Sequence, residues 1–291
     1  MGISEQGYTH WQGTFLERRF SWWPITMQGI RLAFKRKYFK FFFSISLLPV
    51  IIFSAGIYIS ERIEDFQFMF RGEGIDQFLA VNPSYFKNYF TSDFLLFMAV
   101  MLMVLAGAGL ISDDLKFNSL QLYFSRPLRK EDYVLGKMFT VFFFLMILTL
   151  VPGILFILLK LIFAGNFKLL TDYPWLPLSV IGYSLMLMIF IALYTLLISS
   201  LSKNRRYVSI LLFLVYIFSD VFFGIFYRIF RSPYFCLLSI KTNLQQVGAF
   251  IFRVNPQYDV PWIYSLLILA AICVGSAYIL KKKVRSVEVI K

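Results

Sequence analysis

The stretch ISDDLKFNSLQLYFSRPLRKEDYVLGK, Ile111–Lys137, sets nine charged side chains between two long apolar runs. Its acids are Asp113, Asp114, Glu131 and Asp132, and its bases are Lys116, Arg126, Arg129, Lys130 and Lys137. Bond-breaking chemistry needs a nucleophile beside a base, paired acids or metal ligands. The single histidine, His10, stands in a polar stretch, so no histidine cluster exists to hold a metal. Cys236 and Cys273 have no paired spacing, which argues against a disulfide framework or a thiolate site. No G-x-x-x-x-G-K-[ST] phosphate loop is present. AGAGL (Ala106–Leu110) lies in an apolar run and reads as close helix packing by small residues. Gly136-Lys137 lacks a preceding loop. The expectation is therefore no catalytic residue, no metal and no cofactor in this chain.

Its local pattern gives two helices. Ser112 can cap a helix whose first turn holds Asp113 and Asp114 against the positive end. Phe117, Leu120 and Phe124 then share a stripe, with Lys116, Asn118 and Gln121 elsewhere. Pro127 biases Arg126 out of helical geometry, and a second helix is expected from about Arg129, with Glu131 and Asp132 near its start. Spacing alone leaves two readings open: a solvated loop anchored at the interface, or a helix that docks a partner in a groove.

The elements that hold this insert are read from composition. The chain has 291 residues, of which 59% are hydrophobic and 20% aromatic. Its mean hydropathy is +0.70. A soluble domain is about 45–50% apolar, so part of this surplus requires a bilayer as solvent. Six runs are long enough to span it: 41–60, 94–112, 139–163, 176–201, 208–230 and 262–280. The third and fourth are long enough to tilt or to enter the interface. Pro49 and Pro152 are expected to kink their helices. The expected organisation is a tail at 1–24, one membrane domain at 25–280 and a basic tail at 281–291.

Lys and Arg alternate in density along this map. Seven precede the first span, five follow the second, three follow the fourth and five follow the sixth, while nine fall in the remaining segments. Positive residues favour the cytoplasm, which places both termini and the charged insert inside. The first outer loop, Glu61–Asp93, is acidic, with Glu61, Glu64, Asp65, Glu73, Asp76 and Asp93. Topology explains most of the formal charge of +13, so nucleic acid is not an expected partner. The tail KKKVRSVEVIK suits contact with anionic lipid. The opening residues have no apolar h-region with a cleavage site and are not expected to be a signal peptide.

Ile25–Lys40 carries Ile30, Ala33, Phe34, Tyr38 and Phe41 at helical spacing, with Arg31, Lys35, Arg36 and Lys37 on or beside the other face. It reads as a basic amphipathic helix in the inner interface, with Trp22 and Trp23 at headgroup level. Asp220 lies within the fifth run, and an ionisable residue inside a span is a functional candidate by default. It either lines a substrate path or pairs with a hydroxyl or basic group of another helix. Lys160 stands near enough to a span end to snorkel.

The block from Ile111-Ser112-Asp113-Asp114 through Ser125-Arg126-Pro127 to Leu135-Gly136-Lys137 resembles the loop after the second span of ABC-2 type transporter permeases. The segment before the first span resembles that family's elbow helix. SSLSKNRRYVSI (Ser199–Ile210) resembles its second cytoplasmic turn, and IKTNLQQVGAFIF (Ile240–Phe252) its last outer loop, which often folds as a short helical re-entry. Arg129 stands where members often have Ser or Thr, which leaves the start of the second helix open. The resemblance implies an all-α integral membrane protein of six spans, with an amphipathic elbow helix and a cytoplasmic coupling helix. It implies a bacterial inner-membrane permease that works with a separate ABC ATPase, which supplies ATP and Mg, and with a second permease chain in a homo- or heterodimer. It implies transport, with export the usual direction. The implied docking residues are Asp113, Asp114, Leu115, Phe117, Leu120, Tyr123, Phe124 and Arg126, with Lys203, Arg205 and Arg206 as a smaller contact, and Asp220 on a possible path. Two other classes remain: an integral-membrane enzyme, and a membrane scaffold coupled to an ATPase without transport. Nothing in the residues selects a substrate.

Overall fold

The computed structural model describes residues 21–62, 80–119 and 130–286, with side chains to Lys283. Every regular element among these residues is helical. Helix α1 (Trp23–Phe34) is followed by six spans. The first is α2 (Lys37–Ser46) with α3 (Leu48–Glu61). The second comprises α4 (Pro83–Phe90), α5 (Asp93–Ala106) and α6 (Gly109–Lys116). The third is α7 (Lys130–Leu148) with α8 (Leu150–Ala164), and the short α9 (Lys168–Asp172) follows it. The fourth is α10 (Leu176–Leu201), the fifth α11 (Arg205–Phe230) and the sixth α13 (Trp262–Ser286). Between the last two lie a 3-10 turn (Pro233–Leu238) and α12 (Ile240–Ile251).

All six expected runs fall inside helices long and apolar enough to cross a bilayer. Helix α10 is the axis of the bundle, packing on α6, α7, α8, α11, α12 and α13. Its Val180, Tyr183, Leu187, Ile191 and Leu196 are buried. One end of the bundle gathers Lys116, Lys130, Lys203, Arg206 and Lys281, and is called the basic end below. The opposite end holds Glu61, α12 and the start of α13.

Both span prolines break their helices as expected, and the freed carbonyls show why the breaks are tolerated. Pro152 has no N–H to give Leu148, and the Tyr89 hydroxyl from α4 donates to that carbonyl instead, at 2.6 Å. The helix is interrupted at Thr149, whose hydroxyl turns back to the Leu145 carbonyl at 2.8 Å. The first span is interrupted at Leu47, just before Pro49. Helix α4 was not read from sequence, where the region counted as outer loop. Asn82 caps it by accepting the Tyr85 N–H at 3.1 Å, and it buries Tyr85, Phe86, Tyr89 and Phe90 against the spans.

The expected amphipathic helix over 25–40 ends earlier. Helix α1 stops at Phe34, and Arg36 is extended before α2 begins. Its buried residues, Ile25, Thr26, Ile30 and Ala33, face α7. Thr26 Oγ1 donates to the Gly136 carbonyl at 2.9 Å, and Trp22 stacks on Phe139 with centroids 4.4 Å apart. A Cβ on Gly136 would lie 2.8 Å from Ile25 Cβ and 2.9 Å from the Trp22 carbonyl oxygen. That glycine sets the close crossing of α1 on the third span, which explains the Gly-Lys pair without a phosphate.

Candidate functional site

The second span carries the charged insert, and it is not one continuous helix. At Ala106–Gly109 the register slips. Gly107 and Ala108 both donate to the Met103 carbonyl, at 2.7 and 3.0 Å, and Leu110 donates to Gly107 at 3.0 Å. This widened turn leaves the Val104 and Leu105 carbonyls to side chains. Ser209 Oγ donates to Val104 at 3.2 Å. Arg205 Nη2 donates to Leu105 at 2.7 Å, and Arg36 Nη1 donates to the same oxygen. Three elements, the α1–α2 joint, the start of α11 and the second span, therefore meet on one carbonyl. Gly107 permits the approach of α10, since a Cβ there would stand 2.4 Å from Thr195 Cγ2. Close packing by small residues is thus present, together with a helix break that the sequence reading did not contain.

Helix α6 restarts below the break with a cap borrowed from α10. Ser199 Oγ accepts the Ile111 and Ser112 N–H groups at 3.0 and 3.1 Å and donates to the Ala108 carbonyl at 2.8 Å. This corrects the role of Ser112. It is a buried interior residue whose hydroxyl turns back to Ala108 at 2.7 Å, not the cap of a new helix. Asp113 and Asp114 consequently fall in the last turn of α6, where the helix dipole disfavours them. Compensation comes from neighbours. Asp114 Oδ2 lies 2.7 Å from Lys137 Nζ and accepts the Tyr133 hydroxyl at 2.7 Å. Asp113 packs beside Arg205 over Gly109. Arg36, half-buried next to Arg205, has its pKa lowered to about 10, first by burial and then by Arg205, with Asp113 opposing. Asn118, at φ 53°, ends the turn that follows α6.

The implied docking residues divide accordingly. Asp113, Phe117, Arg205 and Arg206 line one cleft of about 720 Å³ with Lys116, Asn204, Ser209 and Ile210, between the basic ends of the second and fifth spans. Phe117 is 69% exposed at its edge, which makes it the most accessible large apolar side chain on that segment. Lys203 and Arg206 are exposed, whereas Arg205 turns inward to Leu105. Asp114 lies on the other side, toward Lys137, and Leu115 packs against the core. Leu120, Tyr123, Phe124 and Arg126 lie outside the described residues. Asn204 caps α11 by accepting the Arg206 N–H at 3.0 Å, which fixes the turn holding these bases.

At the opposite end Asp220 meets both a basic group and a hydroxyl. Its Oδ2 lies 2.9 Å from Lys241 Nζ, and its Oδ1 accepts the Ser239 hydroxyl at 3.0 Å. Lys241 also reaches Asp93 at 3.6 Å. Burial favours the neutral amine of Lys241, but the hydrogen bond and charge of Asp220, then Asp93, outweigh it and raise its pKa. Ser239 caps α12, accepting the Thr242 N–H at 3.2 Å. The start of α12 is thereby tied to the fifth span, and its end is tied to the fourth by Ser179 Oγ donating to Ile251 at 2.8 Å. Beside it lies a polar cleft of about 320 Å³ lined by Lys87, Asp93, Gln245, Gln246, Gln257 and Tyr258, among others. Lys160 pairs with Glu61 and so joins the third span to the first. No cluster of three His, Cys, Asp or Glu side chains able to hold a metal occurs among the described residues.

Comparison with known proteins adds one finding. A family model described as ABC-2 family transporter protein matches residues 30–279. No curated protein matches the chain. The match runs from α1 to the last turns of the sixth span, so the chain belongs to the ABC-2 transporter family and is a permease of an ABC transporter. It is an integral membrane protein, and the family works in general with an ABC ATPase.

Proposed function

We propose that this permease exports its substrate across the bacterial inner membrane, with its basic end cytoplasmic and a separate ATPase seated on the cleft between its second and fifth spans. The observation that carries the reading is the meeting of an exposed apolar anchor, Phe117, with Lys116 and Arg206 at one cleft, directly below a break in the second span. An aromatic anchor that a partner buries on docking, ringed by charge, is the kind of contact that holds a partner. Asp113 and Arg205 on the cleft wall connect it to the Leu105 carbonyl, so displacement of the docked segment acts on the break. ATP and Mg belong to the partner, and this chain contributes the path and the lever.

Positive residues favour the cytoplasm, which supports placing Lys116, Lys130, Lys203 and Lys281 inside together with both termini. Helix α1 then lies along the inner face as the elbow. Asp93, which Lys241 reaches from its pair with Asp220, lines the polar cleft at the outer end, where we place the exit of the substrate. In the most apolar stretch of the first span only 11% of the residues are buried, which supports a second permease copy covering part of it.

The test is co-purification. The chain is tagged and expressed with the ATPase encoded nearest to it, beside a variant carrying Phe117→Asp and Leu120→Asp. Retention of the ATPase by the unaltered chain, and its loss from an inserted, stable variant, is the expected result. ATP turnover in vesicles without movement of any solute would instead favour a scaffold.

A further inference from the structure

A second cleft opens at the basic end, on a side of the bundle that the docking cleft does not reach. It measures about 580 Å³ and lies among the start of α7, the middle of α10 and the last turns of α13. Its walls are graded. Val134, Leu135 and Met138 of α7, Leu193 of α10 and Ala277 and Leu280 of α13 form an apolar floor. Lys130, Glu131 and Lys281 stand at its mouth. From Lys130 to Met138 a helix rises about 12 Å, so the apolar floor extends well below the charged rim. Leu135 is 41% exposed and Ala277 is exposed, so the protein leaves this floor open. The volume is that of a ligand site and not of a packing defect.

We propose that this cleft holds one anionic phospholipid of the leaflet at the basic end, with an acyl chain on the apolar floor and the phosphate between Lys130 and Lys281. The grading of the walls names the ligand. An acyl chain matches a floor with no polar side chain, and a phosphate matches two lysines brought to one rim by different helices. Lys281 is exposed at the end of the sixth span, which leaves its side chain accessible at that rim. Among the described residues that line the cleft, Glu131 is the one acid, against Lys130 and Lys281. A soluble peptide would have to bring its backbone below the level of the lysines, where its polar groups would go unsatisfied. The lipid joins the third, fourth and sixth spans, a role independent of the ATPase and of the transported substrate.

The experiment is native mass spectrometry of the full-length chain, purified in mild detergent and titrated with phosphatidylglycerol or phosphatidylcholine of identical acyl chains. One phosphatidylglycerol per chain is expected to persist at concentrations where phosphatidylcholine does not. Lys130→Gln with Lys281→Gln is expected to weaken phosphatidylglycerol retention on the order of tenfold or more. Ala277→Trp, which fills the floor and leaves the rim charges in place, is expected to displace it as well. Lys282→Gln, outside the cleft, is expected to retain it. Equal retention of both lipids overturns the proposal. So does loss caused by Lys282→Gln as large as that of the double variant, which would mean general surface attraction. Retention in Ala277→Trp overturns it too, as does crosslinking of Ala277→Cys to another protein chain, which would make the cleft a protein interface.

Discussion

Replacing Asp220 with Asn tests whether the outer ion pair holds α12 in place. The pair measures 2.9 Å, and its side chains are 20% exposed for Lys241 and 34% for Asp220. Fully exposed pairs contribute about 0–1 kcal/mol, whereas removing one partner of a buried pair costs about 3–5 kcal/mol. This pair stands between those limits. Asn keeps the acceptor for Ser239, and Lys241 keeps Asp93 at 3.6 Å. The expected cost is therefore about 1–2 kcal/mol. Lys241→Met should cost a similar amount. The double variant should cost less than the two together, with a coupling of about 1 kcal/mol. Unfolding in mixed micelles supplies the three values. The pH dependence carries a sign. The folded pKa of Lys241 is raised, so the pair's contribution is complete below the ordinary lysine value of about 10.4 and is lost as pH rises through the folded value. Asp220→Asn should flatten that alkaline loss. Strict additivity, to within about 0.5 kcal/mol, together with an unchanged alkaline limb, would refute the reasoning.

Other outcomes follow from the broken second span. Gly107→Ala should destabilise by about 1–3 kcal/mol because its Cβ meets Thr195 Cγ2 at 2.4 Å, and Thr195→Ala should recover part of the loss in the same unfolding assay. Ser199→Ala removes the acceptor for two α6 N–H groups and should cost about 2 kcal/mol, with faster hydrogen exchange at Ile111 and Ser112. Arg36→Gln and Arg205→Gln should each be mild, since either arginine leaves the other on the Leu105 carbonyl. Together they should cost about 2–3 kcal/mol, more than the sum of the singles.

The spans were legible because each is a long apolar run, and length with hydropathy decides a crossing. The break at Pro152 was legible for the same local reason: a missing N–H. What filled the gap was not. Tyr89 reaches Leu148 across 59 positions of sequence, and Ser199 reaches Ile111 across 88. Nothing local marks such donors, although Tyr and Ser inside apolar segments are a signal worth following. The misread of Ser112 has the same origin. A serine before two acids has the pattern of a cap, but a serine on another helix already capped those groups. Helix α4 was hidden because its apolar residues are aromatic and lie among Lys87, Asn82 and Asn88, a composition that reads as loop. For Asp220, the chain offered both a path and a partner. Only the fold brings Lys241, 21 positions away, to its carboxylate.

The central claim is that an ATPase drives this permease from the cleft at the end of the second span. The most direct measurement places a photoreactive residue at Phe117 in the purified complex and identifies what it captures. The account predicts a covalent adduct with the co-expressed ATPase. A control at Tyr234, which is 56% exposed at the opposite end, should give none. An ATPase that co-purifies yet crosslinks to Tyr234 and not to Phe117 would contradict the placement of the dock and the orientation of the bundle together.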